Sequence, residues 1–103
     1  MSLKKQFLKS KEVCKVTFSL SAEEVGNVKK VNIVGEFNDW SETKNPLKKF
    51  KNGNFKTTLD LEKGKQFQFK YLIDGETWKN DEETDMLVPN SMGTENSVVV
   101  TVA

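Results

Sequence analysis

The chain has 103 residues, which suits one domain built around a single core. Its 16 Lys and Arg nearly balance its 15 Asp and Glu, so the formal net charge of +1 gives no global attraction for nucleic acid or an anionic membrane. Histidine is absent, which removes the commonest general base and the commonest zinc ligand and weighs against an enzyme. We expect no cofactor and no metal.

The composition also bears on where the protein works. No apolar run approaches the roughly 20 residues that a membrane-spanning helix needs, and no segment has the pattern of a secretory signal. With Cys14 as the one cysteine, no internal disulfide can form, and nothing requires an oxidising compartment. The expected location is the cytoplasm.

The first strand is predicted from Cys14. Cys14, Val16, Phe18 and Leu20 alternate with polar residues, which is typical of a half-buried strand. The preceding segment has no clear period, so we predict a flexible lead-in over residues 1–12 and a single domain over residues 13–103.

The second strand runs into a polar turn over residues 31–40, VNIVGEFNDW. A glycine within a strand, Gly35, predicts a bulge or a close backbone approach. Asn38 and Asp39 are expected to cap the turn, which places Trp40 just beyond the sheet. In the following loop, Leu47 and Phe50 are expected to contact the core.

Three later segments complete the predicted sheet pattern. Asn52-Gly53 predicts a tight hairpin leading into a third strand over residues 54–61. A fourth strand places aromatic residues inward, and its core-facing residues are Phe67, Phe69, Tyr71 and Ile73. Residues 80–96 are predicted to be a long ordered loop. The last strand, over residues 97–102, has Val98, Val100 and Val102 on one face.

These elements predict an all-β fold. Short strands, turn signals roughly every 8 to 12 residues and no helical period indicate an immunoglobulin-like antiparallel β-sandwich of the early-set type. No internal repeat or second domain is indicated.

Acidic residues are the nearest approach to a catalytic or metal-binding group. They lie in one predicted loop, at Asp81, Glu82, Glu83 and Asp85. A carboxylate pair could serve glycoside hydrolysis, and a carboxylate cluster could hold calcium, although the spacing does not match an EF-hand loop. A solvated loop is the simpler interpretation.

Two tryptophans in polar loops, Trp40 and Trp78, leave two interpretations open. Each could close one end of the sandwich, or the flat indoles could match the apolar C–H faces of sugar rings while polar side chains bond the hydroxyls. Lys70, facing outward from the fourth strand, and Asn96 are suitable polar partners.

Three segments together resemble a known family. GEFNDW, FKYLIDG and GTENSVV, in that order and spacing, are similar to carbohydrate-binding module family 48. This glycogen- or starch-binding domain occurs in isoamylase-type N-terminal domains, beside branching and debranching enzymes, and in the β subunit of AMP-activated protein kinase. The resemblance implies an antiparallel sandwich that holds α-1,4-linked glucan on an exposed face.

The resemblance also implies roles for individual residues. Trp40 and Trp78 would stack on sugar rings, Lys70 and Asn96 would bond hydroxyls, Met92 would replace a leucine that presses on the curved glucan, and Asn90 and Thr94 would lie at the margin. The turn before Trp78 is one residue longer than in the kinase-type domains, so the sequence alone does not fix the direction in which Trp78 faces.

The function predicted from the sequence is therefore non-catalytic binding of α-1,4-linked glucan, as glycogen, starch or maltooligosaccharide. The alternative is a protein-interaction or regulatory module that accompanies a glycan-metabolising enzyme and binds no sugar itself. Neither hypothesis involves nucleic acid or a membrane.

Overall fold

The structure, a computed structural model, describes residues 2–102 and is almost entirely β. The strands are Ser2–Phe7 (β1), Val13–Leu20 (β2), Val31–Gly35 (β3), Lys48–Lys49 (β4), Phe55–Glu62 (β5), Gln66–Ile73 (β6), Thr77–Lys79 (β7), Met86–Pro89 (β8) and Glu95–Val100 (β9). The predicted fold class is confirmed. Met1 and Ala103, the outermost residues of the two predicted segments, lie outside the described residues.

The strands form two antiparallel sheets. One has the order β1-β2-β5-β4, and the other has the order β3-β6-β9-β8, with β7 paired to the end of β6. Their inner faces pack together around the core, as a β-sandwich requires. The predicted antiparallel sandwich is confirmed, and β6 is the strand that joins three neighbours.

Helical structure is confined to short turns. Helix α1, Ala22–Val25, is one turn long and is capped by Ser21, whose hydroxyl accepts from the Glu24 N–H in a capping box. A 3₁₀ turn, Glu36–Asn38, follows β3. No helix within residues 2–102 is long and apolar enough to cross a membrane.

The core includes the inward faces of β2 and β6, as the alternation predicts. Phe18 contacts Phe69 edge to face with ring centroids 5.2 Å apart, and Phe69 contacts Tyr71 in the same way at 5.7 Å. Aromatic pairs of this geometry stabilise a core beyond the area that they bury. This cluster fixes one face of β6 and leaves the other face for the functional site.

The expectation of no strand before Cys14 is wrong. Strand β1 pairs with β2 along its whole length, and its Leu3 and Phe7 pack against the core. The alternation was hard to recognise because Lys5 occupies the position between them, where its ammonium pairs with Asp85 at 2.6 Å. The boundary at residue 13 and the flexibility of the first residues stay predictions.

Three further expectations need correction. The predicted loop over residues 80–96 contains β8, which pairs with β9. The predicted last strand, over residues 97–102, is Glu95–Val100 in the structure, so Val102 lies beyond it. Val98 and Val100 share one face as predicted, and Val99, opposite Phe67, is the valine of β9 that faces the core. Leu47 is buried as predicted, whereas Phe50 is 39% exposed and lies outside the core. Its ring instead lies under the Lys48 ammonium, 5.6 Å away.

Candidate functional site

A depression of about 570 Å³ lies on the outer face of the five-stranded sheet. The residues lining it are Trp40, Lys70, Trp78, Asn90, Ser91, Met92, Thr94 and Asn96. The structure thus brings together every residue predicted for the site, although they come from four separate parts of the chain. Ser91, at the tip of the turn between β8 and β9, is the one lining residue that the sequence analysis did not single out.

Trp40 is positioned by the turn that follows β3. The buried Asn38 side chain accepts from the Gly35 N–H at 3.1 Å and donates to the Ile33 carbonyl at 3.0 Å. Asp39 and Trp40 then take left-handed backbone conformations, with φ of 56° and 60°, which are uncommon for residues other than glycine. The Trp40 N–H donates to the Gly35 carbonyl at 2.8 Å, and the tryptophan is held at the edge of the sheet.

Gly35 is required because two parts of the backbone approach closely there. A Cβ at this position would lie 2.5 Å from the Gln68 carbonyl oxygen and 2.8 Å from the Phe69 Cβ. The prediction of a close approach at Gly35 is confirmed. The approach brings the turn carrying Trp40 against the middle of β6.

Trp78 is positioned by strand pairing. It lies in β7 directly opposite Leu72, which faces outward from β6 on the same side as Lys70. Residues on one face of an antiparallel pair have their side chains side by side. The register therefore fixes the direction that the sequence left open, and the Trp78 indole faces the depression.

The turn before Trp78 is held by the Asp74 carboxylate. Its Oδ1 accepts from the backbone N–H groups of Lys29 at 2.8 Å and Lys30 at 2.9 Å. The hydrogen bond from Lys30, with that from Lys29 and the two lysine charges, lowers the pKa of Asp74 below its ordinary value of 3.8. Asp74 and Gly75 both have positive φ, which allows the tight reversal into β7.

The opposite wall of the depression is a hydrogen-bonded turn centred on Asn90. Its Oδ1 accepts from the N–H groups of Met92 at 2.9 Å and Thr94 at 3.1 Å, and its Nδ2 donates to Asn96 Oδ1 at 2.9 Å. Asn96 Nδ2 in turn donates to Gln68 Oε1 at 3.0 Å. The wall is thus tied to the outer face of β6.

Gln68 is a supporting residue that the sequence analysis missed. It precedes Lys70 by two positions, so the strand period alone would place both on the outer face of β6. The strand period therefore indicated that Gln68 faces the site, but nothing in the sequence distinguishes a half-exposed glutamine with a supporting role from any other surface residue.

The chemistry of the lining is mixed. Trp40 and Trp78 are 41% and 45% exposed, and Met92 is 84% exposed, so three apolar side chains face solvent together. The Lys70 ammonium lies 3.5 Å from Thr94 Oγ1, and the amide side chains of Asn90 and Asn96 line the same depression. None of the described residues lining the depression carries a carboxylate. The arrangement can bind a ligand with flat apolar faces and hydroxyl edges, but it lacks the acid pair of glycoside hydrolysis.

Two of the acidic residues after β7, Asp81 and Asp85, make structural contacts away from the depression. Asp81 is fully buried, where its Oδ2 accepts from the Tyr71 hydroxyl at 2.8 Å and its Oδ1 from the Glu83 N–H at 2.9 Å. Burial raises the pKa of Asp81, and burial together with the Asp81 charge raises the pKa of Tyr71 well above its ordinary value. Residues 2–102 contain no group of three or more His, Cys, Asp or Glu side chains that could hold a metal ion.

Comparison with known protein families gives a match over most of the chain. Residues 9–103 match the family described as the glycogen recognition site of AMP-activated protein kinase. The match includes all the residues that line the depression. No curated protein matches the chain.

Proposed function

Because the chain belongs to the family of the glycogen recognition site of AMP-activated protein kinase, we propose that it binds α-1,4-linked glucan without acting on it chemically. The ligand would be glycogen, starch or a maltooligosaccharide. The observation that carries the proposal is the presence of two half-exposed indoles and a lysine–amide group in one depression on a chain of this family.

Stacking on the indoles supplies the apolar part of the binding. The C–H faces of glucose rings match the flat surfaces of Trp40 and Trp78. If each indole hides roughly 100 Å² of apolar surface, the gross gain is about 2.5 kcal/mol per ring. Association itself costs much of that sum, so we expect a dissociation constant on the order of tens of micromolar to millimolar.

The polar groups supply orientation. An amide has two N–H hydrogens and an oxygen with two lone pairs, and the bonds of Asn96 to Asn90 and Gln68 use one of each. Asn96 is only 7% exposed, but it lines the depression and keeps one donor and one acceptor position that these bonds do not use. Lys70 adds an ammonium to the same lining. Asn90 and Thr94 act at the margin by holding the turn that carries Met92.

Affinity electrophoresis through gels containing glycogen or amylose tests the proposal. Replacing either Trp40 or Trp78 by alanine should weaken binding about tenfold or more, because each removes one stacking surface. The matched control is Phe50→Ala, which removes a similarly exposed aromatic ring outside the depression and should leave retardation unchanged. A gel containing a β-1,4-linked glucan checks specificity for the linkage.

One result would end the proposal. If the wild type migrates through glycogen no more slowly than a folded Trp40→Ala, Trp78→Ala double variant, the depression is not a glucan site. An assay of reducing ends released from glycogen checks the non-catalytic part, and we expect no release above background.

A protein-interaction module for a glycan-metabolising enzyme is the second candidate. The observation in its favour is that β8 is an edge strand with exposed Met86 and Leu87, outside the depression. This function predicts that glycogen leaves tryptophan fluorescence unchanged, whereas glucan binding at Trp40 and Trp78 predicts a change. For either function the proposed location is the cytoplasm, with which the free, buried thiol of Cys14 agrees.

A further inference from the structure

Met92 combines two features that occur together at no other methionine of the described residues. Its side chain is 84% exposed, and it lines the depression. Met86 is 40% exposed and lies outside the lining. The thioether of Met92 is therefore open to reagents in solution at the place where we propose that glucan binds.

From this placement we propose that Met92 is an oxidation site that controls glucan affinity: its sulfoxide binds glucan more weakly than its thioether does. The inference rests on the proposed function. The reagents that would modify this side chain are peroxides.

The chemistry needs one equivalent of peroxide. A sulfur lone pair attacks one peroxide oxygen, the O–O bond breaks as the S–O bond forms, and with hydrogen peroxide the second oxygen leaves as water after proton transfer. The sulfur is oxidised by two electrons and the peroxide is reduced by two. Methionine sulfoxide reductases reverse the change, so the modification can act as a switch.

The other described sulfur atoms are less available to this chemistry. Cys14 is fully buried, and burial raises the pKa of its thiol, so the reactive thiolate is disfavoured. Met86 is less than half as exposed as Met92. Peroxide should consequently modify Met92 before either of them.

Oxidation should change the site without unfolding it. The turn is held through the Met92 backbone N–H and the Asn90 side chain, and neither bond involves the sulfur. The sulfoxide replaces a flexible apolar group beside Trp40 and Trp78 with a polar, chiral one. A polar group in this position loses the apolar contact with a sugar ring and has to be desolvated when glucan covers it.

The experiment treats the purified chain with dilute hydrogen peroxide and follows both methionines by peptide mass spectrometry. Sulfoxide should form faster at Met92 than at Met86. Saturating glycogen should slow the reaction at Met92 alone, because bound glucan covers that side chain. Affinity electrophoresis of the oxidised chain in glycogen should show about three- to tenfold weaker binding. Treatment with both methionine sulfoxide reductases, one for each sulfoxide epimer, should restore the affinity.

Two variants locate the effect. Met92→Leu, compared with itself before and after peroxide, should lose the sensitivity, whereas Met86→Leu should bind as the wild type does and keep the sensitivity. Equal binding before and after complete oxidation of Met92 overturns the inference and leaves the proposed function intact. A loss of affinity that persists in Met92→Leu overturns it as well. If the untreated wild type does not bind glycogen, the proposed function fails first and the inference fails with it.

Discussion

Trp40 and Trp78 line the same depression, but the backbone holds them in different ways. Trp40 follows a turn whose fixing side chain, Asn38, is buried and makes three hydrogen bonds. Trp78 lies in a strand, and the turn before it is fixed by an exposed carboxylate, Asp74. The position of Trp40 therefore depends on hydrogen bonds in the packed interior. The position of Trp78 depends on the Asp74 carboxylate, which is exposed to water.

Because the two turns are held differently, we expect mutations in them to destabilise the protein in different ways. A buried polar group that loses its partner costs its full desolvation, so damage to the Trp40 turn should be large and independent of pH. An exposed carboxylate contributes through its ionised form, so damage to the Trp78 turn should be smaller and should appear only as the carboxylate becomes protonated.

The largest expected effect comes from Gly35→Ala. Its backbone is extended, with φ of −168°, so the cost arises from the clash of the new Cβ with the Gln68 carbonyl, about 3 kcal/mol of unfolding free energy. Urea denaturation measures it. The matched control is Gly64→Ala, where the Cβ meets open space and only the positive φ is strained, at about 1 kcal/mol. Equal losses in the two variants would refute the close approach.

Asn38→Ala should have the next largest effect. It leaves the Gly35 N–H and the Ile33 carbonyl without their side-chain partner, which should cost about 2 kcal/mol in urea denaturation and weaken glycogen binding through Trp40. Asn52→Ala is the control, because Asn52 also accepts from a turn N–H but is exposed. If Asn38→Ala unfolds no more easily than this control, the Trp40 turn is not held as described.

Asp74→Asn should have the smallest effect, and it should depend on pH. Since the folded-state pKa of Asp74 is lowered, the stabilisation is present above the ordinary value of 3.8 and is lost as the pH falls through the lowered value. The wild type should therefore lose stability below about pH 4 more steeply than Asp74→Asn does. Urea midpoints between about pH 7 and pH 2.5 test this, and parallel curves for the two chains would contradict it.

The fold was predictable where one face of a strand is buried and the other is polar. Strands β2, β5 and β6 show that alternation and were predicted correctly. In β9 the three consecutive valines, Val98 to Val100, carry no period, so only the pairing with β6 shows which one faces the core. Strand β8 is short, ends in Pro89 and follows a run of acids, and such a segment is not distinguished from a loop.

The candidate site was predictable in its members but not in its construction. The chemistry of the side chains indicated Trp40, Trp78, Lys70 and Asn96, and the family resemblance added the other predicted residues that line the depression, Asn90, Met92 and Thr94. It did not supply Gln68, which bonds Asn96, or the direction of Trp78, which follows from its pairing with Leu72. Both depend on contacts between segments far apart in the sequence, and local patterns do not contain that information.

The two faces of strand β6 serve different purposes, one the stability of the fold and the other the candidate site. Phe69 and Tyr71 belong to the core, whereas Gln68 and Lys70 support or line the site. In a saturation-mutagenesis library sorted separately for protein abundance and for glycogen retention, tolerance along this strand should alternate from residue to residue. Substitutions at the core positions should lower the abundance of the protein. Substitutions at the positions between them should lower retention on glycogen while the abundance stays normal. A single strand should thus give two independent fitness profiles.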